Sequence, residues 1–174
     1  FNLRLAKKLQ KLRPVVKIIY YISPQVWAWH QSRIPKMAQW LDLMICIFPF
    51  EAPLYNASGL PTEFGGHPLT DYLAIKKTGA PREPDLVALL PGSREREIAA
   101  LWPVMLQTAA RLRQSHPEMR FATAAVNDRL AARMHDLAGG FPVEIGRGNA
   151  HDLMQRASAG LVASGTATLE AAYF

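Results

Sequence analysis

The chain has 174 residues, of which 49% are hydrophobic and 20% charged, so it can bury a core and is not an intrinsically disordered chain. Its single cysteine, Cys46, excludes an internal disulfide and fits a reducing compartment. No apolar run reaches the length of a transmembrane helix. Because the sequence starts at Phe1 and stops inside a predicted helix at Phe174, we expect a fragment of a longer protein.

The net charge of +6 is distributed unevenly. Residues 1–83 hold 11 Lys and Arg against 5 Asp and Glu, whereas residues 84–174 hold 9 of each kind. A basic half indicates a surface that faces lipid headgroups, a phosphorylated substrate or nucleic acid, and a solvated basic surface is the alternative. The neutral second half and the lack of an RNA- or DNA-binding motif argue against a nucleic-acid-binding module.

The predicted elements of the first half begin with a helix over residues 2–12, where Leu5, Leu9 and Leu12 recur at helical spacing. Strands follow at 15–22, 42–48 and within 61–67, with helices at 31–41 and 49–58. The charged, proline-containing segment 69–84 is predicted to be an interdomain linker.

The second half repeats the alternation of strand and helix. Predicted strands lie at 86–90, 119–126, 143–146 and 159–165, and predicted helices at 95–115, 127–140, 150–158 and from 166 onward. On the long helix, one face carries Ile98, Leu101, Met105, Ala109 and Leu112. Apolar strands alternating with helices predict an α/β fold with parallel sheets covered by helices.

The stretch "LLPGSRERE" predicts an anion site. A buried strand ends, Gly92 permits a tight turn, and a helix begins. Unpaired N–H groups at a helix start attract phosphate, Ser93 offers a hydroxyl, and Arg94 can donate to two phosphate oxygens. The alternative is that Ser93 simply caps the helix, with Glu95 and Glu97 favouring its dipole.

A second strand–turn–helix junction lies at 161–170, "LVASGTATLE". Ser164, Gly165 and Thr166 would present hydroxyl and N–H groups at the end of a strand, with Thr168 in the first helical turn and Glu170 placed to accept from a ribose. Ligands of open parallel sheets bind at this edge. Two such turns in one domain favour a nucleotide diphosphate site, against the alternative of two ordinary turns.

Three of the four tryptophans lie between positions 27 and 40. Trp27, Trp29, Gln31 and Arg33 suit a sugar face, an acyl chain or a membrane interface, and a packing cluster is an equal alternative. His67 is a candidate proton shuttle or substrate contact, although a lone histidine is more often structural. The five histidines and one cysteine lack metal-ligand spacing, so we predict no metal.

Taken together, four segments resemble the lipid-A-disaccharide synthase family of bacterial GT-B glycosyltransferases. They are "YYISPQVWAWHQSRIPKMAQWLDLMICIFPFEAPLYNASGLP", "GGHPLTD", "LLPGSREREI" and "ASGTATLE". The resemblance implies two Rossmann-like domains, both incomplete here: 1–68 from the first, acceptor-side domain, 69–84 as linker, and 85–174 from the second, UDP-sugar-binding domain.

The resemblance also implies the reaction. An inverting transfer from UDP-2,3-diacylglucosamine to 2,3-diacylglucosamine 1-phosphate would form the β-1′,6-linked lipid A disaccharide and release UDP, without a cofactor, at the cytoplasmic face of the inner membrane. Arg94 would stabilise the leaving group, and the general base would lie upstream of Phe1, so the fragment alone would be inactive. Another UDP-sugar enzyme of this fold, an epimerase or a peptidoglycan glycosyltransferase, is the alternative, and a homo-oligomer is left open.

Overall fold

The computed structural model describes residues 2–12 and 15–174. Its contacts divide the chain into two compact units, Phe1–Pro68 and Leu69–Phe174. Each unit contains one sheet whose strands all run parallel, with helices between successive strands. The predicted α/β class with two parallel sheets is therefore confirmed.

The first unit has a three-stranded sheet in the order β1-β2-β3. Tyr20 pairs with Met44, and Met44 pairs in turn with Thr62. A 3₁₀ turn at Gln31–Arg33 precedes the third helix. The elements are α1 (Asn2–Leu12), β1 (Ile19–Tyr21), α2 (Val26–Trp29), α3 (Ile34–Ala38), β2 (Leu43–Cys46), α4 (Glu51–Asn56) and β3 (Thr62–Phe64).

Helix α1 forms over the predicted residues, but the three leucines that predicted it do not supply its packing, whereas Leu3 packs partly buried against the core. Ala6 is the buried residue of this helix, whereas Leu5, Leu9 and Leu12 are exposed. The core beneath α1 instead comes from buried side chains of α3, β2 and α4, such as Met37, together with Met44 and Tyr55. Cys46, at the end of β2, is completely buried in this unit.

Strand β1 is much shorter than the predicted 15–22. Its partner β2 begins at Leu43, which pairs with Ile19, so Val15 and Val16 have no neighbouring strand in this register and stay exposed. Their β-branched side chains favour extended backbone, but a strand needs a partner for its hydrogen bonds. The predicted strand was wrong at its beginning for this reason.

The second unit has a four-stranded sheet in the order β6-β5-β4-β7. Residues 86–90 of β4 are all buried, as expected for a central parallel strand covered on both faces. The elements are α5 (Pro68–Ala74), β4 (Glu83–Leu90), α6 (Glu95–Ser115), β5 (Arg120–Ala125), α7 (Asp128–Ala138), β6 (Glu144–Arg147), α8 (Ala150–Arg156), β7 (Ala157–Val162) and α9 (Thr166–Tyr173).

Helix α6 has the predicted limits but not the whole predicted face. Ile98, Met105 and Ala109 are buried, whereas Leu101 lies at the surface and the neighbouring Trp102 is fully buried. The indole Nε1–H of Trp102 donates to the carbonyl oxygen of Met134 at 2.9 Å, which satisfies its polar atom in the core. Trp102, the largest side chain of the helix, therefore belongs to the core although the predicted face did not include it.

Segment 69–84 contains most of α5 and the first residues of β4. The backbone N–H and the hydroxyl of Thr78 both donate to Oε1 of Gln155, at 2.7 and 3.1 Å. Gln155 is buried on α8, and its amide nitrogen donates to the carbonyl oxygen of Lys76 at 3.1 Å. This buried amide therefore fastens the segment to the second unit.

Candidate functional site

Two turns leave the same edge of the second sheet. Strands β4 and β7 are adjacent and parallel, Leu90 pairs with Val162, and the N–H of Ala163 donates to the carbonyl oxygen of Leu90 at 2.9 Å. The turn at 91–94 follows β4 and the turn at 163–165 follows β7. Neighbouring strands lie about 4.8 Å apart, so the structure brings the two sequence-predicted junctions side by side at the carboxyl edge.

Gly92 makes the first turn possible. Its φ of +112° lies in a region that side chains rarely adopt. A Cβ atom at this position would collide with Oε2 of Glu97. The turn therefore requires glycine for both its backbone angle and its space. Arg94 occupies the N-cap position of α6, so the alternative that Ser93 caps the helix was wrong.

The carboxylate of Glu97 accepts hydrogen bonds from the same groups that were predicted to bind an anion. Its Oε2 accepts the backbone N–H groups of Ser93 at 3.0 Å and of Arg94 at 3.2 Å. Its Oε1 accepts from Nη1 of Arg94 at 2.6 Å, and the Arg94 guanidinium lowers the pKa of the Glu97 carboxyl below its usual range. The turn thus holds an anion supplied by the chain itself. A glutamate three residues after the N-cap is the sequence signal for this contact.

The second turn is open to solvent. Gly165 has a φ of +145° and a ψ of −157°, a combination that essentially only glycine adopts. A Cβ atom there would meet nothing within 4 Å. Ser164 and Thr166 beside it are exposed, whereas the hydroxyl of Thr168 donates to the carbonyl oxygen of Gly165 at 2.6 Å. The open turn leaves room for a ligand beside Gly165, while Thr168 stabilises the helix start.

Glu170 lies beside a histidine that the sequence did not single out. Nε2 of His151, on α8, is 3.2 Å from Oε2 of Glu170, and both side chains are about three-quarters buried. The His151 ring also contacts the rings of Tyr72 and Phe174, at centroid distances of 5.8 and 5.6 Å. The packing of α8 on α9 creates this pair, and no spacing in the sequence indicates it.

The carboxyl edge of the first sheet carries an aromatic cluster. Trp27 meets Phe50 edge to face at 5.0 Å, Phe50 stacks on Phe48 at 5.7 Å, and Phe48 contacts His67 at 5.6 Å. Two predicted residues, Trp27 and His67, therefore belong to one cluster, joined by two phenylalanines that the sequence reasoning missed. Their position in "IFPFE" just after an apolar strand was the available signal.

Glu51 anchors the loop that carries Trp27. This glutamate is fully buried and accepts from the Ser23 hydroxyl at 2.7 Å, from the Trp27 indole at 2.9 Å and from the N–H of Phe48 at 3.1 Å. Ile22, just before this loop, has a φ of 65°, an outlier for a β-branched residue. Three donors on one carboxylate fix the loop in spite of that strain.

Tyr55, one turn further along α4, holds the same loop. Its hydroxyl donates to the carbonyl oxygen of Pro24 at 2.7 Å. Burial, and next the negative charge of Glu51, raise the pKa of Tyr55 to about 12, so this phenol stays a donor at neutral pH. The two side chains of α4 together position the backbone from Ser23 to Trp27.

The other predicted acceptor-side residues lie outside the aromatic cluster. Trp29 is largely exposed. The side-chain amide of Gln31 donates to the carbonyl oxygen of Trp27 at 2.8 Å, and Arg33 lines a cavity between α1 and α3. The general base expected upstream of Phe1 falls outside the described residues. Residues 2–12 and 15–174 contain no group of three potential metal-ligating side chains.

The entire chain, residues 1–174, matches the sequence profile of lipid-A-disaccharide synthetase. The chain belongs to the lipid-A-disaccharide synthetase family. This confirms the resemblance drawn from the four sequence segments. The chain is 40% identical to the lipid-A-disaccharide synthase of Geobacter metallireducens, covering 99% of this chain and 47% of that protein.

Two further relatives carry the same name. Identity is 40% to the protein of Pseudomonas fluorescens and 39% to that of Trichlorobacter lovleyi, over 98% and 99% of this chain. Each alignment covers 47% of the relative. The chain thus spans about half the length of the curated family members that it matches.

Proposed function

We propose that the protein is an inverting glycosyltransferase that forms the β-1′,6-linked lipid A disaccharide 1-phosphate. The donor is UDP-2,3-diacylglucosamine, the acceptor is 2,3-diacylglucosamine 1-phosphate, and UDP is released. The observation that carries the proposal is the pair of adjacent turns at the carboxyl edge of the second sheet, in a chain of this family. An epimerase or a peptidoglycan glycosyltransferase of the same fold is the alternative outcome.

In the proposed site the two turns hold the UDP. The backbone N–H groups at Gly92, Ser93 and Arg94, with the Arg94 guanidinium, face the diphosphate, and negative charge that develops on the leaving group is met there. The open turn at Ser164, Gly165 and Thr166 contributes further donors, and Thr168 keeps that turn in shape. Glu170 accepts from the ribose hydroxyls, with His151 orienting its carboxylate. We propose no metal or other cofactor for these steps.

On the acceptor side, the aromatic cluster offers a face for sugar or acyl chains. Trp27 is held by Glu51, and Trp29, Gln31 and Arg33 extend the surface beyond the cluster. His67 is a candidate contact to the acceptor. The base that removes the proton from the acceptor 6-hydroxyl is a carboxylate preceding Phe1.

Both substrates carry acyl chains, so we propose that the enzyme works as a peripheral protein on the cytoplasmic face of the inner membrane. The basic first half of the chain favours an anionic surface. Among the described residues, no helix is long and apolar enough to cross a membrane.

The test is an assay of the full-length protein with UDP-2,3-diacylglucosamine and its acceptor. Arg94→Ala should lower turnover about a hundredfold, and Arg96→Ala, which removes the charge of an exposed arginine in the first turn of α6, should not. Glu170→Ala should weaken UDP binding in calorimetry. Activity only on UDP-N-acetylglucosamine, or a thermal shift with an oligonucleotide and none with UDP, would point to the alternatives.

A further inference from the structure

A basic groove runs between α1 and α3 of the first unit. One part is a cavity of about 760 Å³. An adjoining cavity of about 600 Å³ shares Lys7, Lys36 and Trp40 with it. We call the two cavities together the α1–α3 groove. The apolar residues that line it include Leu3, Tyr20, Pro24 and Met37, and its cations are Arg4, Lys7, Lys11, Arg33 and Lys36.

The positive charge of the groove is not neutralised by the protein. Among the described residues, none of the five cations forms an ion pair, and no carboxylate lines either cavity. The carboxylates of this unit are used elsewhere or lie on another strand. Asp42 pairs with Lys17 at 2.9 Å, Glu51 is buried beneath Trp27, and Glu63 is exposed on β3. Charge complementarity therefore calls for an anionic occupant.

The spacing of the cations indicates the size of that occupant. Arg4, Lys7 and Lys11 recur at helical spacing along one face of α1, over about 10 Å at 1.5 Å per residue. Arg33 and Lys36, at the start of α3, line the same cavity as Arg4 and Lys7. This row of cations is longer than a single phosphate group. Its length fits several phosphates presented side by side, as on a membrane surface.

Trp40 adds a second feature of an interfacial surface. Its half-buried indole lies under the Lys7 ammonium, with Nζ 5.3 Å from the ring centroid. Indole rings combine an apolar body with a polar N–H and are favoured at the headgroup level of a bilayer. The exposed leucines of α1 line neither cavity, so binding in the groove is electrostatic and sensitive to salt.

We propose that the α1–α3 groove docks the protein on the phosphate headgroups of acidic membrane phospholipids. The inference rests on the proposed function in one respect, namely that acylated substrates have to be met at a membrane. It adds the surface that makes the contact and the class of lipid that it selects.

The test is sedimentation of the protein with unilamellar vesicles of phosphatidylcholine, with or without about 30% phosphatidylglycerol, at about 0.1 M salt. The protein should bind the acidic vesicles and not the neutral ones. Lys7→Gln with Lys36→Gln should weaken that binding roughly thirtyfold, since each lysine near an acidic surface contributes about fivefold. Lys7→Arg with Lys36→Arg should retain it.

The matched control is Lys76→Gln with Lys77→Gln, which removes the same charge from the second unit and should change binding less than about threefold. If both glutamine variants lost vesicle binding equally, binding would depend on the overall positive charge and not on the α1–α3 groove. That result would overturn the proposal. Displacement of the vesicles by millimolar inorganic phosphate, or tighter groove-dependent binding of an oligonucleotide, would also overturn it. Vesicle binding is measured without turnover, so a missing transferase activity would leave this result interpretable.

Discussion

At the scale of single residues, Glu97 places a carboxylate where the proposed function requires a diphosphate. Its two oxygens accept hydrogen bonds from the backbone N–H groups of Ser93 and Arg94 and from the Arg94 guanidinium. A bound UDP and this carboxylate would compete for the same donors and repel each other. Under the proposed function, Glu97 would hold the turn in shape while no UDP is bound and would give up these donors to the diphosphate.

We expect Glu97→Gln to bind UDP roughly tenfold more tightly, because a neutral amide neither repels the phosphates nor holds Arg94 as strongly. Titration calorimetry with UDP measures the change. Glu95→Gln is the control, since Glu95 pairs with Arg129 away from the turn. Weaker UDP binding in Glu97→Gln would show instead that the carboxylate shapes the site.

In the first unit, Glu51 is likewise a carboxylate that accepts several hydrogen bonds and holds a loop. Glu51→Ala should lower the free energy of unfolding by about 3 kcal/mol, because one buried and two partly buried donors lose their acceptor. Urea denaturation measures this loss. Glu63→Ala, at an exposed position on β3, should stay within about 0.5 kcal/mol of the parent. A small loss in Glu51→Ala would mean that water replaces the carboxylate.

The sequence reveals chemistry at these residues unevenly. Arg94, Ser164 and Gly165 could be selected because a strand–turn–helix junction is a local pattern with a known electrostatic consequence. Glu51 and His151 could not, because their partners are 24 and 19 positions away and only the packed sheet brings them together. Glu97 was visible as a charge near a helix start, but its contact with two amides was not.

At the scale of elements, the turn after β4 depends on one backbone angle. Gly92→Ala should reduce UDP affinity at least tenfold, because the added methyl group collides with Glu97 and the positive φ disfavours alanine. Gly79→Ala is the control, since Gly79 also has a positive φ but open space around it. Calorimetry with UDP measures both variants, and an equal loss of affinity in Gly79→Ala would mean that the effect is not specific to the turn after β4.

Elements with strong local signals were predicted closely. Helix α6 has the predicted limits, because acidic residues mark its start and apolar residues recur at helical spacing over its whole length. Strand β1 does not have its predicted limits, because its length depends on where β2 begins to pair with it. Helix α5 lies at the start of the segment expected to be a linker. Gln155 binds the later part of that segment from 77 positions away, which proline and charge in the sequence do not indicate.

At the scale of the whole molecule, several carboxylates have pKa values below their usual range. A hydrogen bond from the Ile18 N–H lowers the pKa of Asp42. Hydrogen bonds from arginine side chains lower the pKa values of the other three: Arg156 acts on Glu83, Arg120 on Asp85 and Arg94 on Glu97. A carboxylate whose pKa is lower in the folded state contributes its full stabilisation at pH values above its unfolded-state pKa. That contribution is lost as the pH falls through the folded-state pKa.

The ordinary pKa values from which these groups are lowered are 3.8 for Asp and 4.5 for Glu, and they serve as the unfolded-state reference. We therefore expect the melting temperature to fall as the pH drops below about 4.5. Glu83→Gln should make that fall shallower, because Glu83 binds both Arg120 and Arg156. Calorimetry from pH 3 to 7 tests this, and a melting temperature that rises in acid would contradict the assignment.

The division into two units gives the lone thiol a practical meaning. Cys46 is buried in the first unit, burial raises its pKa, and the second unit has no cysteine of its own. A maleimide dye can therefore react only when the first unit opens. Labelling kinetics in increasing urea would follow that one half, while overall circular dichroism follows both. A single native side chain thus separates the unfolding of one half of the chain from the other without any engineered reporter.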